Sequence, residues 1–231
     1  MKLNRIGVIG DVHAEPANLE RTLKFMLEEN IDQIVCVGDI VQGTKSIDAC
    51  CELLESHNVI TVSGNHDRWS GANEEFMSLA SARYISSLPA TQKLETIGGP
   101  ALLCHGLGEH DMKGVLPWDS GYAIEMNFEL HDLIRSKEFR FIINGHTHKR
   151  MVRTFGTMTI INGGTIKSTH QPCFTIIDFG KEIVNFYDLG DEITLSESIE
   201  LNEHAGDSKR PPQKVLRRLW LALMSSLGLA R

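Results

Sequence analysis

Val59-Ile60-Thr61-Val62-Ser63-Gly64-Asn65-His66-Asp67 joins a short apolar run to a turn that carries an amide, an imidazole and a carboxylate. A brief, uninterrupted apolar run bounded by glycine and polar residues reads as a strand buried on both faces. Four other places in the chain repeat the arrangement. Ile6–Ile9 runs into Gly10-Asp11-Val12-His13, and Ile34–Val37 into Gly38-Asp39. Ala101–Leu103 leads to Cys104-His105-Gly106, and Phe141–Ile143 to Gly145-His146-Thr147-His148. Strand ends that all present Asp, Asn or His side chains point to a metal site.

Working outward, amphipathic stretches fill the gaps between the first strands. Pro16 suits the first turn of a helix reaching Glu29, with Leu19, Leu23, Met26 and Leu27 as its apolar stripe. A second helix is expected over about Lys45–Ser56, with Ile47, Cys50, Leu53 and Leu54 inward. A third is expected over about Glu74–Ser87, stopped by Pro89. The β-α-β-α-β order implies a parallel sheet covered by helices. Beyond it, Lys93–Ile97 and Ala101–Cys104 flank Gly98-Gly99-Pro100 as a hairpin, and a helix is expected over about Met126–Lys137. Met151–Thr154, Met158–Asn162, Phe174–Asp178 and Glu182–Tyr187 read as an antiparallel meander that forms a second sheet behind the first.

Residues 1–190 are thus expected to form one domain. Residues 191–212, polar and ending in Pro211-Pro212, read as a linker or arm. Residues 213–231 read as an amphipathic C-terminal helix, with Leu216, Leu219, Trp220, Leu223 and Leu227 on one face and Lys214, Arg217 and Arg218 opposite. Packing on the domain or a second subunit is the favoured reading of that helix, and contact with a membrane surface the other.

The net charge of −7 argues against a general nucleic-acid binder. A secretory leader is not expected, because the N-terminus enters an apolar strand at Ile6, and no run is long enough to span a bilayer. The five cysteines are odd in number and include the adjacent pair Cys50-Cys51, so a disulfide framework is not expected and a cytoplasmic location is.

Side chains at the carboxyl ends of parallel strands converge on one crevice. Collected there are the carboxylates Asp11 and Asp39, the amide Asn65, and the imidazoles His13, His105, His146 and His148. That is more than one ion needs and suits two ions sharing a bridging carboxylate. A mixed oxygen and nitrogen set without thiolate favours two divalent ions, Mn²⁺ first, with Fe, Zn²⁺ or Ni²⁺ as alternatives. Two such ions about 3.5–4 Å apart form the clamp for in-line attack at phosphorus.

The ordered series Asp11-x-His13, Gly38-Asp39, Gly64-Asn65-His66-Asp67, His105 and Gly145-His146-x-His148 resembles the calcineurin-like metallophosphoesterases over roughly residues 5–190. Within that family it looks most like the compact bacterial and archaeal phosphodiesterases and phosphatases. The resemblance implies a four-layer α/β/β/α sandwich. It implies that Asp11, His13 and His148 hold one ion, that Asn65, His105 and His146 hold the other, and that Asp39 bridges them. His66 would face the substrate and protonate the leaving oxygen, with Asp67 orienting it. The expected reaction is hydrolysis of phosphate mono- or diesters by a hydroxide bridging the two ions.

Departures narrow the substrate. The second motif reads Gly38-Asp39-Ile40-Val41-Gln42-Gly43 and lacks the Asp-Arg-Gly ending of the phosphoprotein phosphatases. His66 stands where the lipid-A-pathway hydrolases carry Arg. Gly43-Thr44-Lys45-Ser46 fails as a phosphate-binding loop because Thr44 separates the glycine from the lysine. Arg68 reads equally as a substrate-phosphate contact and as a solvated side chain. Glu109, His110 and Asp111 read as part of a lid, with Trp118 available to stack on an aromatic leaving group. His57, His131, His170 and His204 read as core or surface histidines. A small phosphate ester, such as a nucleotide, is the expected substrate, and extended nucleic acid is not. The competing readings are a metal-binding scaffold without turnover and a nuclease for short oligonucleotides or cyclic nucleotides.

Overall fold

The computed structural model describes residues 2–43, 46–70 and 77–201. The chain runs β1 (Arg5–Ile9), α1 (Pro16–Glu28), β2 (Gln33–Cys36), α2 (Ile47–Ser56), β3 (Ile60–Thr61), α3 (Asn65–Ser70), α4 (Leu79–Ser87), β4 (Thr91–Thr96) and β5 (Gly99–Cys104). It continues α5 (Tyr122–Glu125), α6 (Phe128–Ser136), β6 (Phe141–Asn144), β7 (Met151–Phe155), β8 (Met158–Asn162), β9 (Cys173–Asp178), β10 (Ile183–Leu189) and β11 (Ile193–Glu200). One mixed sheet has the order β11-β10-β9-β1-β2-β3, the other β4-β5-β6-β8-β7.

Alternation along the strands sorts side chains into three apolar layers. Ile6, Val8, Val35, Val37, Phe141, Ile143 and Ile161 meet between the sheets. Ile9, Ile34 and Cys36 face the other way, onto Leu19, Leu23 and Met26 of α1 and Cys50 and Leu54 of α2. Leu102, Ile142 and Ile160 face outward from the second sheet onto Leu130 of α6. The result is an α/β/β/α sandwich. Local chemistry ends the helices where they must end: Pro16 opens α1, the Ser78 hydroxyl accepts from the Ser81 amide at the start of α4, and the Asn127 side chain accepts from the Leu130 amide.

Several expectations are corrected. The four strands β7 to β10 are not one meander. β8 lies parallel to β6, with only β7 turned back on it, while β9 and β10 return to the first sheet, where β9 runs antiparallel to β1. Strand signals are local, whereas the choice of partner depends on which sheet edge is free. The helix expected over about Met126–Lys137 is α6, opened by the Asn127 cap, and a separate short helix, α5, precedes it. The turn after β3 continues as a short helix, α3, over Asn65–Ser70. Residues 193–200, assigned to the polar arm, form β11, paired with β10 from Ile183↔Glu200 to Leu189↔Ile193. Their polarity fits an edge strand with one face in water. Lys45, residues 74–76, the remainder of the arm and the helix expected over 213–231 lie outside the described residues. Among those described, no helix is long and apolar enough to cross a membrane.

Candidate metal centre

β1, β2 and β3 run parallel, as do β5 and β6, and the turns after all five meet at one end of the sandwich. Those turns are fastened to one another. The Asp39 carbonyl accepts from the amides of Val12 (3.1 Å) and His13 (2.8 Å), and the Asp11 carbonyl accepts from the Thr165 hydroxyl at 2.7 Å. Gly64 lies so near Asp39 that a β-carbon would stand 2.2 Å from Asp39 Oδ1. His13, Asp39, His146 and His148 take φ between 50° and 64°. Left-handed backbone is costly for residues with a β-carbon, and its concentration at one spot is typical of functional sites.

Asp11, His13, Asp39, Asn65 and His105 are buried, while His146 and His148 are half-buried. Asp11, His13, Asp39 and His148 each bring one potential ligand atom within 4.8 Å of the others. His13 Nε2 and His148 Nε2 face each other at 2.9 Å, and His148 Nε2 is 3.5 Å from Asp11 Oδ1. A second group adjoins the first. Asn65 Oδ1 lies 3.0 Å from both His105 Nε2 and His146 Nδ1, and His105 Nε2 is 3.4 Å from Asp39 Oδ2. His105 Nδ1 donates to the Val37 carbonyl at 2.8 Å, which fixes its tautomer and turns Nε2 toward the carboxylates. Asp11 Oδ2 is buried without a hydrogen-bond partner. An orphaned carboxylate oxygen among imidazole nitrogens and an amide oxygen suits divalent cations, so the donor set fits the ions expected for it.

The electrostatics follow from burial and crowding. Burial lowers His13 to about 4 against the attraction of Asp11 and Asp39. Burial also presses on His105, but its hydrogen bond to Asp39 and the charges of Asp11 and Asp39 prevail and raise it to about 9. Burial works against an ionised Asp39, yet hydrogen bonding and charge from His105 and the His66 amide hold its carboxyl below the usual value.

His66 stands at the mouth of this cluster. Its amide donates to Asp39 Oδ1 at 2.8 Å, and its ring meets His13 edge-on at 5.1 Å between centroids. The Asp67 carboxylate is bonded to backbone rather than to the His66 ring. The Asp67 carboxylate accepts from the amides of Gly64 (2.9 Å), Ile40 (2.8 Å) and Val41 (3.0 Å), and so ties the β3 turn to the β2 turn. Arg68 is engaged in a two-pronged pair with Asp111, at 2.7 and 2.9 Å. Cys104 is buried and its thiol is pushed up to about 12, which leaves it inert.

Two neighbours escape a reading by motif. His170 sets Nδ1 2.7 Å from His148 Nδ1, on the ring edge opposite His13. Trp69 lies beside His66 at 5.5 Å and is 58% exposed. Trp118 is exposed as well. Trp69 stands two residues past the central motif, and that nearness was the only signal for it. Nothing local marks His170, which reaches the site through the β8–β9 connection.

Residues 5–182 match the family model of the calcineurin-like phosphoesterase superfamily domain. An uncharacterized protein of Methanocaldococcus jannaschii, MJ0912, is 36% identical over 67 residues. That stretch is 29% of this chain and 28% of that protein, so the match spans less than a third of the curated relative. Among solved structures, a metallophosphoesterase from Sphaerobacter thermophilus aligns with a TM-score of 0.59 at 21% identity, covering 82% of this chain and 89% of its own. An archaeal phosphodiesterase aligns at 0.55 and 18% identity, covering 80% and 99%. Vacuolar protein sorting 29 of Cryptosporidium parvum aligns at 0.55 and 19% identity, covering 87% and 100%. At these identities the structural likeness speaks for the fold alone.

Proposed function

The chain belongs to the calcineurin-like phosphoesterase superfamily, and from that premise we propose that it hydrolyses a small phosphate ester at a centre of two divalent ions. One observation carries the reading. Two carboxylates, an amide and four imidazoles converge on one crevice: Asp11, His13, Asp39 and His148 offer ligand atoms within 4.8 Å of one another, Asn65 Oδ1 is 3.0 Å from His105 and His146 nitrogens, and Asp11 Oδ2 is unpaired. Asp11, His13 and His148 would hold one ion, Asn65, His105 and His146 the other, and Asp39 would lie between them. Such ions supply an activated water and neutralise the phosphate oxygens. Mn²⁺ is the first choice, since the set has no thiolate.

The chain's own residues do the rest. His66 is held at the cluster's mouth by its amide bond to Asp39, with its ring against His13. From there its ring N–H can donate to the oxygen of the departing alcohol, a contribution of about 10²–10⁴-fold. Asp67 acts at one remove, fixing the backbone that carries Asn65 and His66. Trp69 offers an apolar wall beside His66 for the leaving group. The acidic chain favours a compact ester over extended nucleic acid. The fold is shared with a protein named for vacuolar sorting, so a scaffold without turnover is the reading to be tested against.

The test is hydrolysis of p-nitrophenyl phosphate and bis-p-nitrophenyl phosphate by protein stripped with chelator and reloaded with Mn²⁺. Turnover should depend on the metal, vanish in Asp39→Asn, and fall about 10²–10⁴-fold in His66→Ala with metal content unchanged. The preferred ester distinguishes phosphatase from phosphodiesterase. Metal-loaded protein that turns over neither ester nor a nucleotide panel would overturn the proposal in favour of the scaffold.

A further inference from the structure

A groove of about 430 Å³ opens beside the cluster, with His13 forming its inner wall and Glu15, Gln42, Ser46, Lys167 and Thr169 lining the remainder. His13 places it next to the metal cluster, while its other lining residues take no part in the ligand set. Among the described residues, the Lys167 ammonium has no hydrogen bond or ion pair. Its positive charge is felt at both His13 and His170, and that of Lys149 at His170, so this flank carries cations in a chain of net charge −7.

The other polar groups are also uncommitted. Ser46 begins α2 without using its hydroxyl as a cap. Glu15 is the exception. Its Oε1 accepts from the Ser168 amide at 3.0 Å and from the Ser168 hydroxyl at 2.5 Å, which anchors the turn that presents Lys167. Among the described residues that line the groove, a cation without a partner stands beside a committed carboxylate, which suits a small anionic group.

We propose that this groove seats a second anionic group of the substrate, a carboxylate or a further phosphate set apart from the scissile phosphorus, with Lys167 as its counter-charge. The inference rests on the phosphoesterase reading and narrows its substrate class to esters with two separated anionic groups. Ser46 and Thr169 supply hydroxyl donors to the same group, and the hydrogen bond from Lys167 to it is charge-assisted.

The experiment measures calorimetric binding of three non-hydrolysable probes to the full chain loaded with Mn²⁺. Propylphosphonate carries one anionic group, 3-phosphonopropionate adds a carboxylate, and propane-1,3-diphosphonate adds a phosphonate. The latter two should bind about tenfold tighter than propylphosphonate, the scale of one hydrogen bond to a charged group. The better of the two identifies the second group. Lys167→Met should cut the advantage to less than about twofold, and Lys167→Arg should retain it. Equal binding of all three probes, or an advantage that survives Lys167→Met, would overturn the proposal. Turnover of p-nitrophenyl phosphate, which has no second anion, reports on the parent reading separately. Failure on it, on bis-p-nitrophenyl phosphate and on the nucleotide panel, with the binding advantage intact, would sink the phosphoesterase and leave the anion groove standing.

Discussion

Burial favours the neutral form of both His105 and His13, yet the two diverge. His105 is raised from 6.5 to about 9 by Asp39 and Asp11, so in metal-free protein it is protonated at neutral pH. The stability this confers is complete below about 6.5 and is lost as pH climbs through 9. His13 is lowered from 6.5 to about 4, chiefly by burial. Its contribution is complete above 6.5 and is lost as pH falls through 4. Metal-free protein should therefore be most stable near pH 6.5 and lose on the order of 2 kcal/mol on either side. Bound Mn²⁺ requires both imidazoles neutral, so it should abolish the alkaline decline and steepen the acid one. Urea midpoints from pH 4 to 9, with chelator and with Mn²⁺, check this. A chelated protein whose stability rises from pH 6.5 to 9 would contradict the assignment of His105. At this scale the residues that converge were legible, because each sits at fixed offset from a strand end. What the other side of each residue touches was not. Asp67 sits next to His66 in sequence, yet its carboxylate binds the backbone of Ile40 and Val41, and Arg68 turns to Asp111.

Between elements, the decisive contact is where β1 passes the β8–β9 connection. A β-carbon on Gly10 would stand 2.1 Å from the Gly164 carbonyl oxygen and 2.5 Å from its carbon. Backbone cannot rotate away, so Gly10→Ala must push apart the two segments that hold Asp11 in place. An overpacking cost of about 1–3 kcal/mol is expected, together with weaker metal binding, because Asp11 is the next residue. Gly7→Ala offers the contrast. Its β-carbon would meet Met26 Sδ at 2.6 Å, the flexible end of a side chain that can shift, so the loss should be smaller and metal binding intact. Urea unfolding and metal titration of both variants decide it, and a Gly10→Ala protein as stable as the parent would refute the close approach. The same contact shows why the parallel half of the fold was readable and the later strands were not. Up to β3 each strand joins its predecessor through a covering helix, and order in sequence gives order in space. After β8 the chain leaves one sheet for the other at Gly163-Gly164, and glycines there look no different from those of a hairpin turn.

For the whole molecule, the boundary of the domain is set by β11 rather than by the fall in hydrophobicity after Gly190. β11 is polar because it is an edge strand, yet it brings Ile199 and Leu201 against the core between the sheets, and Leu201 is 6% exposed. A chain ended at Asp191 would lose those contacts and bare the edge of β10. The loss should be about 2–4 kcal/mol relative to a chain ended at Leu201, seen as a Tm lower by roughly 5–15 °C and a greater tendency to aggregate. The metal centre should survive in the cold. β10 and β9 still separate the cut from β1, and Arg150, two residues from His148, keeps its pair with Asp188 at 2.7 Å when Ser196 and Glu197 are gone. Thermal unfolding and Mn²⁺ titration of the two truncations at low temperature test both halves of the argument. Equal Tm values would place β11 outside the cooperative fold, and loss of metal binding in the shorter chain alone would mean that this edge supports the centre through Arg150.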